Sequence, residues 1–315
     1  ANAAFAVASQ IQNAFNSLCN SMVLPFRPAM IKAYAEGNHR YVCRLFYANN
    51  KVICFFMILT GFPIISEMDV ILNLWLGTYD SSTLIFARLT VVSVMLIAFH
   101  NPISIIMHAI GKVMQYHLPV ETTILLCCPI TWILFHYGMP SYVIYYVIIG
   151  LVVAAHALRL LCIRKHYAYF SLHEYIVSFL WPSMYVVIPG IVLICLTHYL
   201  FDAIYLRLLG SFIFFPVVIT ILFYALCLDK EEKIHSRKMI LSHHENIKGT
   251  GFPMKQKNKE VECRILQACD AFDCAISGME CRRVSVQQAL QDITDEADIL
   301  YEKKIVENLV SGVAR

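Results

Sequence analysis

The chain has 315 residues, 58% of them hydrophobic, with a mean hydropathy of +0.61 and a formal net charge of +3. Residues 1–228 hold 11 of the 25 Lys and Arg and 7 of the 22 Asp and Glu, and residues 229–315 hold the rest. That uneven distribution excludes one water-soluble core and points to two parts in different solvents, an apolar bundle in lipid and a charged tail in water.

The apolar part divides into stretches of about 20 residues, the length that crosses roughly 30 Å of hydrocarbon. Seven are legible: 1–24, 51–66, 83–110, 120–137, 140–162, 174–200 and 206–228. The second is short and is expected to share its depth with an interfacial stretch at 70–76. The chain opens at Ala1 inside a helical pattern, so further chain is expected before it. The opening stretch carries Ser9, Gln10, Gln12, Asn13, Asn16, Ser17, Asn20 and Ser21. Lipid penalises so many amides, so this helix should face other helices or a wet cavity. Two readings stand: a tightly packed helix, or the wall of a hydrophilic passage.

The loops that follow alternate in charge. Arg27, Lys32, Arg40, Arg44 and Lys51 face a single acid, Glu36, between the first two stretches. The next loop has Glu67, Asp69 and Asp80 and no base; then come Lys112, an uncharged loop at 136–141, the trio Arg159, Arg164 and Lys165, and Asp202 with Arg207. This alternation is what the positive-inside rule requires. It puts residue 1 outside and the tail in the cytoplasm. The twelve Cys show no CxxC pair or zinc spacing and read as reduced thiols.

Several membrane residues invite a function. Arg88 lies one to two turns into its span, where a charge is costly; it either holds an acidic group of a lipid-linked substrate or snorkels to the interface. His100, Asn101, Pro102 and His108 form a polar, kinked stretch deeper in the same span. Glu121 marks a span boundary, and His156 and Arg159 read as interfacial. Tyr142, Tyr145 and Tyr146 suit an outer aromatic belt. With no acid pair at mid-membrane, a proton-coupling site is not legible.

Beyond the opening helix comes Pro28-Ala29-Met30-Ile31-Lys32-Ala33-Tyr34-Ala35-Glu36-Gly37-Asn38, then Glu67-Met68-Asp69-Val70-Ile71-Leu72-Asn73-Leu74-Trp75-Leu76-Gly77, then Ala109-Ile110-Gly111-Lys112. In order and spacing these resemble the second half of polysaccharide flippases of the multidrug/oligosaccharidyl-lipid/polysaccharide exporter superfamily, over about residues 1–233. The resemblance implies one lobe of a two-lobed transporter that rocks around a central cavity. It implies a bacterial inner-membrane location, membrane lipids and a lipid-linked oligosaccharide or O-antigen precursor as partners, and a missing N-terminal lobe or a homodimer to complete the transporter. Gln10, Asn13, Asn16, Asn20, Arg88 and Asn101 would line the substrate cavity.

The tail reads Ser242-His243-His244-Glu245-Asn246-Ile247-Lys248-Gly249-Thr250-Gly251-Phe252-Pro253, with Asp270 in Ala268-Cys269-Asp270-Ala271-Phe272-Asp273. Two His and a distant Asp are plausible ligands for a divalent ion. HHE-x-x-x-G-x-G-F-P followed by A-x-D-x-F-D resembles the HD-GYP family of cyclic di-GMP phosphodiesterases, over about 237–310. By that likeness His243, His244 and Asp270 would ligate iron or manganese, and Gly249, Gly251, Phe252 and Pro253 would form the adjoining loop. The chain departs from the family. His235 is the one earlier His of the tail, Lys248 stands where an Asp is usual, and Met279-Glu280-Cys281-Arg282 replaces the family's Arg-Pro-Tyr-Arg.

The integrated expectation is an all-α polytopic membrane bundle of about seven spans, N-terminus out and C-terminus in, followed by a small helical cytoplasmic tail. Residues 1–228 form the bundle, 229–236 a junction, and 237–315 the HD-GYP-like part. Translocation of a lipid-linked glycan is the leading function, by a partial chain with no enzymatic activity, no cofactor for the membrane part and no nucleic-acid partner. The alternatives are a membrane-anchored, metal-dependent cyclic di-GMP phosphodiesterase and a multidrug exporter.

Overall fold

The computed structural model of the chain describes residues 2–234, 248, 261–277 and 284–313. They are all-α, with no strand among the described residues. Contacts divide the chain into two compact units, Ala1–Leu228 and Asp229–Arg315.

The first unit contains α1 (Asn2–Val23), α2 (Phe26–Ala35), α3 (His39–Ser66), α4 (Met68–Leu76), α5 (Ser81–Ala98), α6 (His100–Ile110), α7 (Val113–Leu125), α8 (Cys127–His136) and α9 (Val143–His166). Two long helices with π-type turns follow, α10 (Leu172–Leu200) and α11 (Ile204–Cys227). Six helical stretches among the described residues are long and apolar enough to cross a membrane: His39–Ser66, Ser81–Ile110, Val113–His136, Val143–His166, Leu172–Leu200 and Ile204–Cys227. The seventh stretch of the sequence reading, α1, has 22 residues and therefore the length. Its amides and serines keep it below the composition of a lipid-crossing helix.

The stretch expected at 51–66 begins earlier, at His39. Asn38 caps it, its side chain accepting from the Tyr41 N–H at 3.2 Å. Asn49, Asn50 and Lys51 interrupted the apolar run in the sequence, yet all three are buried inside this helix. Twenty-eight residues at 1.5 Å each make a rod of about 42 Å, longer than the hydrocarbon core.

Close packing, rather than hydrophobic exclusion, holds such helices together in lipid. At Gly190 of α10 an added Cβ would stand 3.2 Å from Phe62 and 3.3 Å from Ile219, so glycine sets the approach of α3, α10 and α11. Hydroxyls inside the helices bond their own backbone: Thr90 to Phe86 O (2.8 Å), Thr60 to Phe56 O (2.7 Å) and Thr220 to Pro216 O (2.7 Å). Gly111 ends α6 in the left-handed region (φ 77°), and the Lys112 N–H reaches back to Met107 O at 3.2 Å.

The second unit has α12 (Val261–Ser277), α13 (Val286–Asp295) and α14 (Lys303–Val313) in mutual contact. Among its described residues, Ala268, Ala289, Ile293 and Val306 are buried apolar side chains. Ser285 caps α13 by accepting from the Gln288 N–H at 3.2 Å, as its S-x-x-Q spacing allows.

Candidate functional site

In the second unit, Asp270 is the described member of the proposed metal set. His243, His244, Gly249, Gly251, Phe252 and Pro253 lie outside the described residues. Asp270 sits mid-way along α12, half-buried, with Cys269 and Asp273 exposed on the same helix. It lies near the turn that joins α13 to α14. There Glu296 O accepts from the Ile299 and Leu300 N–H groups at 3.0 and 2.9 Å. Asp298 takes a left-handed φ of 61° and donates its N–H to Tyr301 O at 2.8 Å. Arg264, earlier on α12, pairs with Glu302 just past the turn. These contacts hold Tyr301 near Asp270. Burial pushes the Tyr301 phenol above its ordinary value, and the carboxylates of Glu296 and Asp270 push it further.

An Asp in that position can accept hydrogen bonds or ligate a hard cation. Among the described residues, however, no three His, Cys, Asp or Glu side chains converge. One carboxylate does not hold a metal ion by itself, and the two His of the expected ligand set lie outside the described residues.

In the membrane unit, the six residues expected to line a cavity divide. Gln10, Asn13 and Asn20 are exposed on one side of α1, at spacings of three and seven that place them on one stripe. Asn16 is half-buried. The opposite side, with Ala8, Phe15, Cys19 and Val23, is buried in the unit, and α1 packs against α3 and α5. Asn101 is on the inner side, donating to Cys19 Sγ at 3.3 Å. Arg88 is half-buried and donates to Ile65 O at 3.0 Å, with Asp69 at 3.8 Å. The structure thus brings Arg88 together with the acidic turn after α3.

That turn is the centre of a network absent from the sequence reading. Glu67 is wholly buried. It accepts from Arg207 Nε at 2.8 Å and from Ser211 Oγ at 2.9 Å, and His198 Nε2 lies 3.1 Å away. Arg207 reaches Asp69 at 3.3 Å with its other arm. One carboxylate therefore joins the end of α3 to α10 and α11 across more than 130 residues of chain. Each charge has a counter-charge and additional hydrogen bonds, the condition under which buried ions are tolerated.

Comparison with known proteins places one finding beside this geometry. The HD domain family matches residues 230–305. No curated protein and no solved structure matches the chain. The HD domain family is one of metal-dependent phosphohydrolases. The match supports the resemblance read in the tail and overturns the expectation of a chain without enzymatic activity. Nothing in the comparisons supports the flippase resemblance, or transport and O-antigen chemistry. The match covers α12, α13 and the start of α14, and takes in both Asp270 and Tyr301.

Proposed function

We propose that this is a membrane-anchored phosphohydrolase whose chemistry resides in residues 230–305. The supporting observation is the HD domain match directly following six helices of membrane-crossing length and composition. Asp270, with His243 and His244, would bind the iron or manganese that supplies the hydrolytic nucleophile in such enzymes. A cyclic dinucleotide is the substrate that the resemblance of this segment to the HD-GYP family implies.

The location follows from charge. Arg40 and Arg44 open α3, Lys112 follows α6, and Arg164 and Lys165 close α9, while the turns at 67–80 and 137–142 carry no base. The positive-inside rule then puts the C-terminal end of α11 on the cytoplasmic side, whichever way α1 lies; a bacterial inner membrane is what the family resemblances imply. Nucleotide substrates are found on that side.

The test uses the full chain in detergent or nanodiscs with added Mn²⁺ or Fe²⁺, assayed against cyclic di-GMP and a chromogenic phosphodiester. Metal-dependent turnover is expected. Asp270→Ala should lower it by at least a hundredfold, and Asp273→Ala, on the exposed side of α12, should leave it within about twofold. Equal turnover in the wild-type chain and Asp270→Ala would sink the proposal.

A second reading, translocation of a lipid-linked glycan, draws on the exposed amide stripe Gln10, Asn13 and Asn20. Acyl chains penalise such a stripe and a water-filled passage does not. It predicts that a cysteine at Asn13 reacts with a water-soluble thiol reagent in intact membranes; protection equal to that of a lipid-facing control at Ile188 would remove its support.

A further inference from the structure

The sequence reading left His156 and Arg159 at the interface; the structure buries Arg159 and His100 and half-buries His156. Arg159 lies seven residues before the end of α9, about 10 Å inside that helix. Its exposure is 8%, and that of His100 is 7%. Arg159 Nε donates to the Tyr116 hydroxyl at 3.1 Å and the guanidinium lies 5.9 Å from the Tyr116 ring centre. Its Nη1 is buried with no hydrogen-bond partner among the described residues. One turn earlier, His156 stacks on His100 with ring centres 5.4 Å apart and planes 19° from parallel. His156 Nε2 meets the Tyr175 hydroxyl at 3.2 Å. His156 Nδ1 and His100 Nε2 are both buried without a partner. No carboxylate among the described residues pairs with Arg159.

His156 and Tyr175 also line a cavity of about 570 Å³, within the range of small-molecule sites. Its wall is otherwise almost wholly apolar, with Met57, Met95, Phe99, Val152, Phe179 and Val187 from α3, α5, α9 and α10. Of the cluster, His156 and its partner Tyr175 line this apolar chamber, and His100 and Arg159 adjoin it through His156.

We propose that this chamber binds a single-chain amphiphile with an oxyanion head, a carboxylate or a monophosphate. A guanidinium keeps its charge when buried and fits an oxyanion through two parallel N–H donors. Water can satisfy the hydrogen bonds but not the charge, and an isolated cation at this depth is costly. An anion alone would satisfy the charge and leave the apolar chamber unfilled. A head group against Arg159, His100 and His156, with its chain among Met57, Phe99 and Val187, satisfies both halves of the site. The proposal does not depend on the chemistry of the tail.

The test uses the full chain in phosphatidylcholine nanodiscs and four probes: oleate, oleoyl lysophosphatidate, oleyl alcohol and inorganic phosphate. Oleate and lysophosphatidate should each bind at one per chain. Oleyl alcohol and inorganic phosphate should bind at least tenfold more weakly. Arg159→Gln should weaken the two anionic amphiphiles by at least tenfold and leave oleyl alcohol unchanged. Val187→Phe, which narrows the chamber and leaves the charged cluster intact, should weaken the same two by a similar factor and carries the test if Arg159→Gln does not fold. Unchanged oleate binding in either folded variant would overturn the proposal, as would equal affinity for oleate and oleyl alcohol. Inorganic phosphate binding as tightly as lysophosphatidate would overturn the amphiphile and leave a site for a free anion.

Discussion

Glu67 and Arg159 are both ionic side chains buried in the membrane unit, and their surroundings are opposite. Glu67 has Arg207, His198 and Ser211 around it, and every one of those contacts comes from the chain itself. Arg159 has one hydrogen bond, to a neutral phenol, and an idle Nη1. The difference separates a charge used to join helices from a charge available to something else. A satisfied ion pair contributes mainly by not being broken, whereas an unsatisfied one destabilises the fold until a ligand arrives.

The largest expected effect tests that contrast directly. Glu67→Ala should destabilise the membrane unit by about 3–5 kcal/mol, because it removes the buried acid that Arg207 Nε, His198 and Ser211 share and leaves Arg207 with the half-exposed Asp69 alone. Arg159→Met should change stability by no more than about 1 kcal/mol, since it removes one hydrogen bond together with an uncompensated charge. Thermal unfolding in detergent, followed by size exclusion, measures both. If Arg159→Met unfolds the chain as readily as Glu67→Ala, Arg159 is structural and the distinction between the two sites fails.

Much of the fold was legible because length and apolar composition alone mark helices that can cross lipid. The six long helices and the charged tail follow from that. The start of α3 was obscured by Asn49, Asn50 and Lys51, which a window average counts as loop and the packing of α2, α5 and α6 around α3 buries. The pairing of Glu67 with Arg207 spans 140 residues, and nothing local in either segment announces it. Arg159 looked interfacial because Arg164 and Lys165 follow it. Its burial depends on Tyr116 and His100, which come from α7 and α6 and meet it only in the folded bundle. In the tail, the spacing of His243, His244 and Asp270 carried the resemblance that the HD domain match supports, while the neighbour of Asp270, Tyr301, is 31 residues away and gave no signal.

The two units offer a second contrast. Among the described residues the tail buries Ala268, Ala289, Ile293 and Val306, on α12, α13 and α14. Ile293→Ala should cost about 2–5 kcal/mol there, by loss of buried surface and a residual cavity. Calorimetry of the full chain should show the tail transition moving down by several degrees while that of the membrane unit stays in place. A shift of both together would show that the units unfold as one and would weaken any argument that treats the tail as a separate catalytic body.

The smallest effect concerns Tyr301, a described group beside Asp270 whose titration is displaced. The Tyr301 phenol ordinarily ionises near pH 10.0, and burial and two carboxylates raise that value in the folded tail. The folded state then holds the proton more tightly than the unfolded one. Its contribution is fully present below pH 10 and is lost as the pH rises, because the unfolded chain ionises first and unfolding gains from it. Stability of the tail should therefore decline above about pH 10, and Tyr301→Phe should flatten part of that decline. Asp270→Asn should lower the pH at which the phenol ionises, read as phenolate absorbance, since it removes one of the two nearby negative charges. An unchanged titration in Asp270→Asn would mean that the carboxylate is not beside Tyr301 in solution, and the turn at 296–301 could not then be part of the site.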